Sequence, residues 1–341
     1  MLKSIQIYSA KHRDYLWDFA ILGALFLLYN FKAIFTGALV TVGVDLHLFT
    51  QPLQEFTTSH MLSGEFPFWS PYWFGGFPNF ESSRIGIYYP ATLLYLLLDF
   101  PFALKLDVLL HSFYVGACAY LLGRDYGLLR PIAIAFGVLV LSGPFALYIS
   151  VYGQPFAFHV LAHFPLTFLF LRRALRGESS WYALFFALML TLQIFAGDLQ
   201  MFLYGLLVFG LYTVGTTLGV LLRGGTRYRD ILSRNAAVAC AVVLGVWLAA
   251  IQLLPTQQLI DESIRGIASG TQFVTFLSST WVFYKGEILG VPLGDFAFGT
   301  PFIVGALFPG LLLFSLSGRA GRARVLELLL MLFLAVFSAM P

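Results

Sequence analysis

Residues 199–222 read LQMFLYGLLVFGLYTVGTTLGVLL, a continuous apolar run that contains no charged side chain. A run of this length crosses the ~30 Å hydrocarbon core of a bilayer when it forms an α-helix. Similar runs recur along the chain, whereas a membrane β-barrel would show alternating segments of about ten residues. The sequence therefore predicts an all-α, polytopic helical membrane protein.

The composition of the whole chain agrees with this class. Hydrophobic residues make up 59% of the 341 residues and charged residues 11%, whereas a soluble domain carries about 25% charge. This balance excludes an ordinary soluble enzyme, a disordered chain and a disulfide scaffold. No basic stripe alternates with aromatic residues, so no nucleic-acid partner is expected. Cys118 and Cys240 both fall within apolar runs and are interpreted as packing residues.

About nine membrane spans are predicted, all within one transmembrane domain over residues 1–341. They cover residues 19–40, 103–123, 132–152, 157–174, 181–196, 199–222, 232–254, 300–317 and 325–341. Most of the 20 lysines and arginines precede the first span or follow the second, fourth, sixth and eighth spans. The positive-inside rule then places the N-terminus and these loops in the cytoplasm. We therefore expect a multi-pass protein of the cell membrane.

Three features of this topology allow alternatives. The first span is interpreted as an uncleaved anchor, although a cleaved signal peptide would also begin with basic residues. Residues 181–222 are interpreted as two helices divided at Ala196-Gly197-Asp198 rather than one, because a charged Asp is costly in mid-bilayer. The last apolar run reaches Pro341 without a polar flank, so we expect a C-terminal part to be missing from this sequence.

Residues 41–100 are predicted to form a long first outer loop with interfacial helices, and residues 255–299 a second large outer loop. Apolar residues at helical spacing predict an amphipathic helix on the membrane from Asp45 to about Leu62. The aromatic, turn-rich segment FPFWSPYWFGG (66–76) follows, and residues 88–100 are too short to cross and are interpreted as re-entrant or interfacial. A simple covering of the outer surface is the alternative role of this loop.

Several stretches resemble the YfhO family of bacterial membrane proteins, which is similar to the GT-C glycosyltransferases. An Asp just after the first span carries this resemblance together with SGEFPFWSPYWFGGFP (63–78), YYP (88–90), AGDLQMFLYG (196–205), LAAIQLLPTQQLIDESIRG (248–266) and FVTFLSSTW (273–281). The chain departs from the family at Asp198-Leu199, where the family often has His-Pro. The resemblance implies a GT-C-like bundle that uses a polyprenyl-phosphate sugar as its donor.

The resemblance implies that Asp45 is the catalytic carboxylate, acting as a base or a metal ligand at the outer interface. Its alternative role is to cap the helix that follows. The lipid phosphate of the donor requires cations. The outer-side candidates for this contact are Arg84, Arg265 and Lys285, with Tyr88 and Tyr89 close to Arg84. Snorkelling or a local ion pair, such as Arg265 with Asp261, is the alternative for each cation.

Four further residues are candidates for a second acid or a metal site: Asp198, His47, Asp107 and His111. Asp45, Asp198 and His47 would together bind a divalent ion, while Asp198 has an N-cap as its alternative. Asp107 and His111 share a helical face at membrane depth, as a functional or a structural pair. His159 and His163 repeat that spacing and would face the same outer cavity, with packing in the core or at an interface as the commoner alternative for such histidines. The need for a divalent metal ion is left open.

No phosphate-binding glycine motif is present, so no nucleotide cofactor is expected. Three functional hypotheses follow from the sequence. The first hypothesis is a glycosyltransferase that moves a sugar from a lipid-linked donor to an envelope glycan, lipid or polymer at the outer face of the bilayer. The second is a transporter or flippase for lipid-linked sugars, and the third is a non-catalytic envelope scaffold.

Overall fold

The computed structural model describes residues 2–36, 45–72, 75–142 and 154–262, and within these ranges the regular structure is helical. This confirms the predicted all-α class. The α-helices are α1 (Leu2–Tyr29), α2 (Phe31–Phe35), α3 (Gln51–Leu62), α4 (Thr92–Leu97), α5 (Phe100–Asp125), α6 (Arg130–Ser142), α7 (Pro155–Arg176), α8 (Trp181–Phe195), α9 (Leu199–Arg223), α10 (Tyr228–Leu248) and α11 (Ala250–Glu262). A π-helical turn, Leu46–Thr50, leads into α3.

Four of the described helices are long and apolar enough to cross a membrane: α5, α7, α9 over Leu199–Leu222, and α10. These match four of the predicted spans, while α6 and α8 are apolar but shorter. The first predicted span differs from the observed helices. Helix α1 already begins at Leu2, and the helix is interrupted at Asn30 before α2. The predicted spans at 300–317 and 325–341 lie outside the described residues, as does the second outer loop beyond Glu262.

Small residues let the central helices approach closely. A side-chain carbon added to Gly116 on α5 would lie 2.7 Å from Leu141 on α6. One added to Gly245 on α10 would lie 2.8 Å from the carbonyl oxygen of Ala187 on α8. Close contact of this kind is how membrane helices associate, since lipid supplies no hydrophobic drive between them. The core of the bundle therefore lies along α5, α6, α7, α8 and α10.

The outward face of α9 is apolar and exposed. Leucines lie along it on successive turns, and in water such a continuous patch would be unfavourable. The exposed residues are Leu203, Leu207, Leu211, Leu218 and Leu222. This surface fits a lipid bilayer and supports the assignment to the membrane.

One end of the bundle collects arginines, and we refer to it as the arginine end. Asp125 at the end of α5 accepts hydrogen bonds from Arg172 at 3.1 Å, Arg173 at 2.8 Å and Arg176 at 2.6 Å. Arg234 lies beside Gly177, where an added side-chain carbon would meet its Nε at 2.5 Å. The loops after α5, α7 and α9 thus share this end, as the alternation of charges predicted. The first loop and the beginnings of α5 and α7 lie at the opposite end.

The break predicted within residues 181–222 is present. Helix α8 ends at Phe195 and α9 begins at Leu199. Gly197 between them has a φ of +99°, a conformation that glycine adopts without steric cost. The alternative of a single long helix is therefore wrong.

Candidate functional site

A small, partly open cleft lies at the end of the bundle opposite the arginines. One wall comes from the π-helical turn and α3, a second from the first loop, and a third from the beginnings of α5 and α7. Its lining includes Thr50, Gln54, Tyr89, Tyr95, Phe156 and His159. Aromatic rings and a few polar groups in a concave site are typical of small-molecule binding.

Asp107 of α5 is fully buried next to this cleft. Its carboxylate accepts hydrogen bonds from the Tyr95 hydroxyl at 2.7 Å and from His159 Nε2 at 2.9 Å. His111 Nδ1 lies 2.8 Å from the other carboxylate oxygen. One carboxylate therefore holds side chains from α4, α5 and α7 together, because each of these groups donates a hydrogen bond to it.

Tyr89 extends this arrangement toward the middle of the bundle. Its hydroxyl lies 2.6 Å from His111 Nε2 and 2.9 Å from His163 Nε2. Tyr114 in turn places its hydroxyl 2.9 Å from His163 Nδ1. We call Asp107, His111, His159, His163, Tyr89, Tyr95 and Tyr114 the Asp107 cluster. It links the first loop to α5 and α7 through side-chain hydrogen bonds.

The direction of the hydrogen bonds follows from one backbone carbonyl. His111 Nδ1 lies 2.9 Å from the carbonyl oxygen of Asp107, which can only accept, so Nδ1 carries the proton. With His111 neutral, Tyr89 donates to His111 Nε2, His163 donates to Tyr89, and Tyr114 donates to His163. Every step of the chain then has one donor and one acceptor.

Two buried polar atoms that belong to the lining residues have no hydrogen-bond partner among the described residues. They are His159 Nδ1 and Gln54 Nε2. Burying a polar atom without a partner costs about 1–3 kcal/mol. Two residues that border the cleft therefore each carry one unsatisfied buried polar atom.

The tyrosines of the first loop keep their protons. Burial raises the pKa of Tyr89 and Tyr95, and the negative charge of Asp107 raises both further. Burial also raises the pKa of Tyr88. The hydroxyl groups of Tyr89 and Tyr95 therefore remain hydrogen-bond donors over the physiological pH range.

Asp45 precedes the π-helical turn, and its carboxylate accepts a hydrogen bond from the Gln154 amide. It occupies the N-cap position of that turn, but its side chain makes no capping hydrogen bond. The residue after Gln154, Pro155, begins α7 and lines the cleft, as does Thr50 on the turn. Asp45 therefore lies beside the cleft, held between two of its walls.

Arg84 and Tyr88, two of the first-loop candidates for phosphate binding, lie near the turn between α8 and α9. Arg84 is exposed and forms no hydrogen bond or ion pair with the described residues. Its Cα would lie 3.2 Å from a side-chain carbon added to Gly197, so it sits against the turn between α8 and α9. The Tyr88 ring contacts Phe195, with 5.5 Å between the ring centroids. Arg265 and Lys285 lie outside the described residues.

Asp198 and His47 have local roles in the structure. Asp198 is the N-cap of α9 and accepts a hydrogen bond from the Met201 backbone N–H at 3.0 Å, which confirms its capping alternative. His47 is exposed, and its ring nitrogen lies 3.4 Å from the Gln51 side-chain oxygen. Within the part of the chain that the structure describes, Asp45, Asp198 and His47 do not form a metal-binding group.

The group of three that does have its ligand atoms close together is Asp107, His111 and His159. The shared helical face of Asp107 and His111, and the same spacing in His159 and His163, were the signals in the sequence. Gln54, Tyr95 and Gln154 carried no such signal, since none has a spacing that marks a site. Their roles follow from how the first loop folds over α5 and α7.

No family model matches the chain, and no curated protein matches it either. The resemblance to the YfhO family and to GT-C glycosyltransferases therefore stays an interpretation of the sequence.

Proposed function

We propose that the protein is an integral-membrane glycosyltransferase that moves a sugar from a polyprenyl-phosphate carrier to an envelope glycan, lipid or polymer at the outer face. The proposal combines the sequence resemblance with one structural observation, which is the position of Asp45 beside the cleft. Asp45 does not itself line the cleft, but a carboxylate next to its wall residues suits the transfer of a proton from a hydroxyl group.

The contacts of Asp45 leave it able to act as a base. The Gln154 amide donates one hydrogen bond to its carboxylate and thereby orients it. An ionised carboxylate has about four acceptor positions, so an acceptor hydroxyl can still donate to it. Because Gln154 immediately precedes α7 and Asp45 immediately precedes the turn that leads into α3, both residues are anchored by helices.

The reaction would proceed by direct displacement. The acceptor O–H bond breaks as its proton passes to Asp45, the oxygen forms a bond to C1 of the sugar, and the bond from C1 to the phosphate oxygen breaks. The leaving lipid phosphate then carries the negative charge. Arg84 is suited to bind it, because its guanidinium has no partner among the described residues and can make a bidentate contact.

The test is the substitution Asp45→Asn in the purified protein, reconstituted in lipid nanodiscs. Polyprenyl-phosphate glucose with a radioactive sugar is the donor, and an envelope extract supplies acceptors. We expect Asp45→Asn to lower kcat by about 100-fold or more, the usual contribution of a positioned base. The amide keeps the shape of the side chain and a hydrogen-bond acceptor for Gln154, so folding should persist.

Asp99→Asn is the matched control. Asp99 lies in the same loop, is exposed and forms no ion pair with the described residues, so its variant should transfer sugar at the wild-type rate. Unchanged transfer by Asp45→Asn would remove Asp45 from the mechanism. Absence of transfer by the wild-type protein with a series of lipid-phosphate sugars would reject the proposed function.

A transporter of lipid-linked sugars is the second candidate, and the Asp107 cluster favours it. Ionisable groups buried within membrane-crossing helices often mark ion and substrate pathways. In vesicles, movement of a fluorescent lipid-linked sugar between leaflets without a new glycosidic product would support this candidate over the transferase.

A further inference from the structure

Asp107 differs from Asp125 and Asp18, two other carboxylates buried between helices, in the cations that contact it. Asp125 pairs with Arg172, Arg173 and Arg176, and Asp18 with Arg130. Asp107 pairs with no lysine or arginine among the described residues. Lys105, two residues away, donates instead to the carbonyl oxygen of Thr36 at 2.8 Å. A buried charge requires a compensating charge, so the histidine side of the Asp107 cluster must supply or hold one.

Two imidazoles reach this carboxylate from different helices. His111 Nδ1 lies 2.8 Å from one oxygen and His159 Nε2 lies 2.9 Å from the other. The ligand atoms of the three residues lie within 4.8 Å of one another. Zinc–ligand bonds of about 2.1 Å in a tetrahedral arrangement separate the ligand atoms by about 3.4 Å. The two nitrogen–oxygen distances are about half an ångström shorter than this, so a bound ion would move both rings away from the carboxylate.

The hydrogen bonds beyond His111 can adapt to a metal ion. With the ion on His111 Nδ1, the bond from Nδ1 to the carbonyl oxygen of Asp107 is lost, and the proton moves to Nε2 and is donated to Tyr89 at 2.6 Å. Tyr89 then donates to His163 Nε2, and His163 Nδ1 donates to Tyr114, so the bonds from His111 to Tyr114 reverse their direction and all persist. An outer partner of this kind on a ligating histidine is the usual arrangement in metal sites.

His159 is the ligand of such a site that borders the cleft. Its Nδ1 has no partner among the described residues. With the ion on Nε2, Nδ1 carries the proton and remains available as a donor. Three protein ligands with a fourth, exchangeable position are typical of catalytic rather than structural zinc sites.

We propose that Asp107, His111 and His159 together bind one divalent transition-metal ion of the zinc class. One carboxylate and two imidazoles suit zinc and neighbouring first-row metals better than magnesium or calcium. The ion also supplies the positive charge that the buried carboxylate lacks. This site differs from the Asp45–Asp198–His47 group expected from the sequence, and it does not depend on glycosyl transfer.

The test uses the full chain, purified in detergent with an affinity tag that contains no histidine. The protein is stripped with a chelator, incubated with zinc chloride, desalted and analysed for bound zinc. We expect about one zinc per chain. Asp107→Asn and His159→Gln should each weaken binding by more than about tenfold, since even outer-partner changes cost that much. Cobalt in place of zinc should give the visible absorption of a tetrahedral site in the wild-type protein.

His60→Gln is the matched control, because His60 lies on α3 and its ring nitrogen contacts the carbonyl oxygen of Phe56 on the same helix. It should bind zinc as the wild type does. A measurement on the wild type alone guards against misfolded variants, since bound zinc should raise the unfolding temperature above that of the chelated protein. Zinc at background level, equal binding by the Asp107 and His159 variants, or no change in unfolding temperature would each overturn the site.

Discussion

Gly197 shows how a single residue can join two parts of the candidate site. Its φ of +99° is unfavourable for any residue with a side-chain carbon, and a carbon added there would lie 2.5 Å from the carbonyl oxygen of Ser83. The turn between α8 and α9 therefore packs directly against the first loop just before Gly86 and Tyr89. The position of Tyr89 in the cleft depends on this close approach of two backbones.

Gly197→Ala should consequently destabilise the protein. Strain from the positive φ costs about 1–3 kcal/mol of unfolding free energy, and relief of the contact with Ser83 requires the loop to move. We expect a lower unfolding temperature in detergent, measured by tryptophan fluorescence. Gly210→Ala is the control: Gly210 lies within α9 with nothing within 4 Å of an added carbon, and alanine is the better helix former. Equal unfolding temperatures for the two variants would contradict the packing.

At the scale of residues, the sequence predicts local roles better than long-range ones. Asp198 as an N-cap depends on residues within one helical turn, and that prediction is confirmed. The pairing of Asp107 with His159 joins residues 52 positions apart, and neither sequence spacing nor composition specifies which helix faces meet. Only the suggestion that both histidine-bearing faces share a cavity was accessible from sequence.

Among the elements, α3 buries polar as well as apolar side chains. The predicted helix is present and Leu53 is buried, but Leu62 at its end and Phe49 in the preceding π-helical turn are exposed. The buried face also carries polar residues: Thr50, Gln54, Thr57 and Thr58. The apolar spacing indicated a helix correctly, yet it could not reveal which side faces the protein, because lipid accepts apolar residues as readily as a core does.

Thr57→Val tests this inward polar face. The Thr57 hydroxyl is fully buried, donates to the carbonyl oxygen of Leu53 at 2.8 Å and accepts from Asn79 Nδ2 at 3.1 Å. Valine keeps the branched shape but removes the hydrogen bond from Asn79 that ties α3 to the following part of the first loop. We expect a loss of about 1–3 kcal/mol in unfolding free energy, together with faster proteolysis of residues 63–90.

Ser59→Ala is the control for the same helix. Ser59 is exposed, and its hydroxyl donates only within α3, to the carbonyl oxygen of Phe56 at 2.9 Å. Its unfolding free energy should stay within about 0.5 kcal/mol of the wild type. If Thr57→Val behaved like Ser59→Ala, the attachment of the first loop would have to come from its aromatic contacts instead.

At the scale of the whole molecule, the two ends of the bundle differ in chemistry. Arginines from the end of α7 and from α10 converge on Asp125 and Gly177 at one end, while the cleft and Asp45 lie at the other. Charge alternation predicted this grouping, because loops that are separated by an even number of membrane spans lie on the same side of the membrane. It did not predict the break at Asn30 or the first loop's fold, which depend on turns and tertiary contacts.

The orientation of these ends across the membrane can be tested with single cysteines in a Cys118→Ala, Cys240→Ala background. Ser63 follows α3 at the cleft end and Ser180 precedes α8 at the arginine end, and both are exposed. Because arginine-rich loops stay in the cytoplasm, a membrane-impermeant thiol reagent added to intact cells should label Ser63→Cys and not Ser180→Cys. Disrupted membranes should give labelling of both, which controls for reactivity. Labelling of Ser180→Cys alone in intact cells would place the cleft in the cytoplasm, where a donor presented at the outer face cannot reach Asp45.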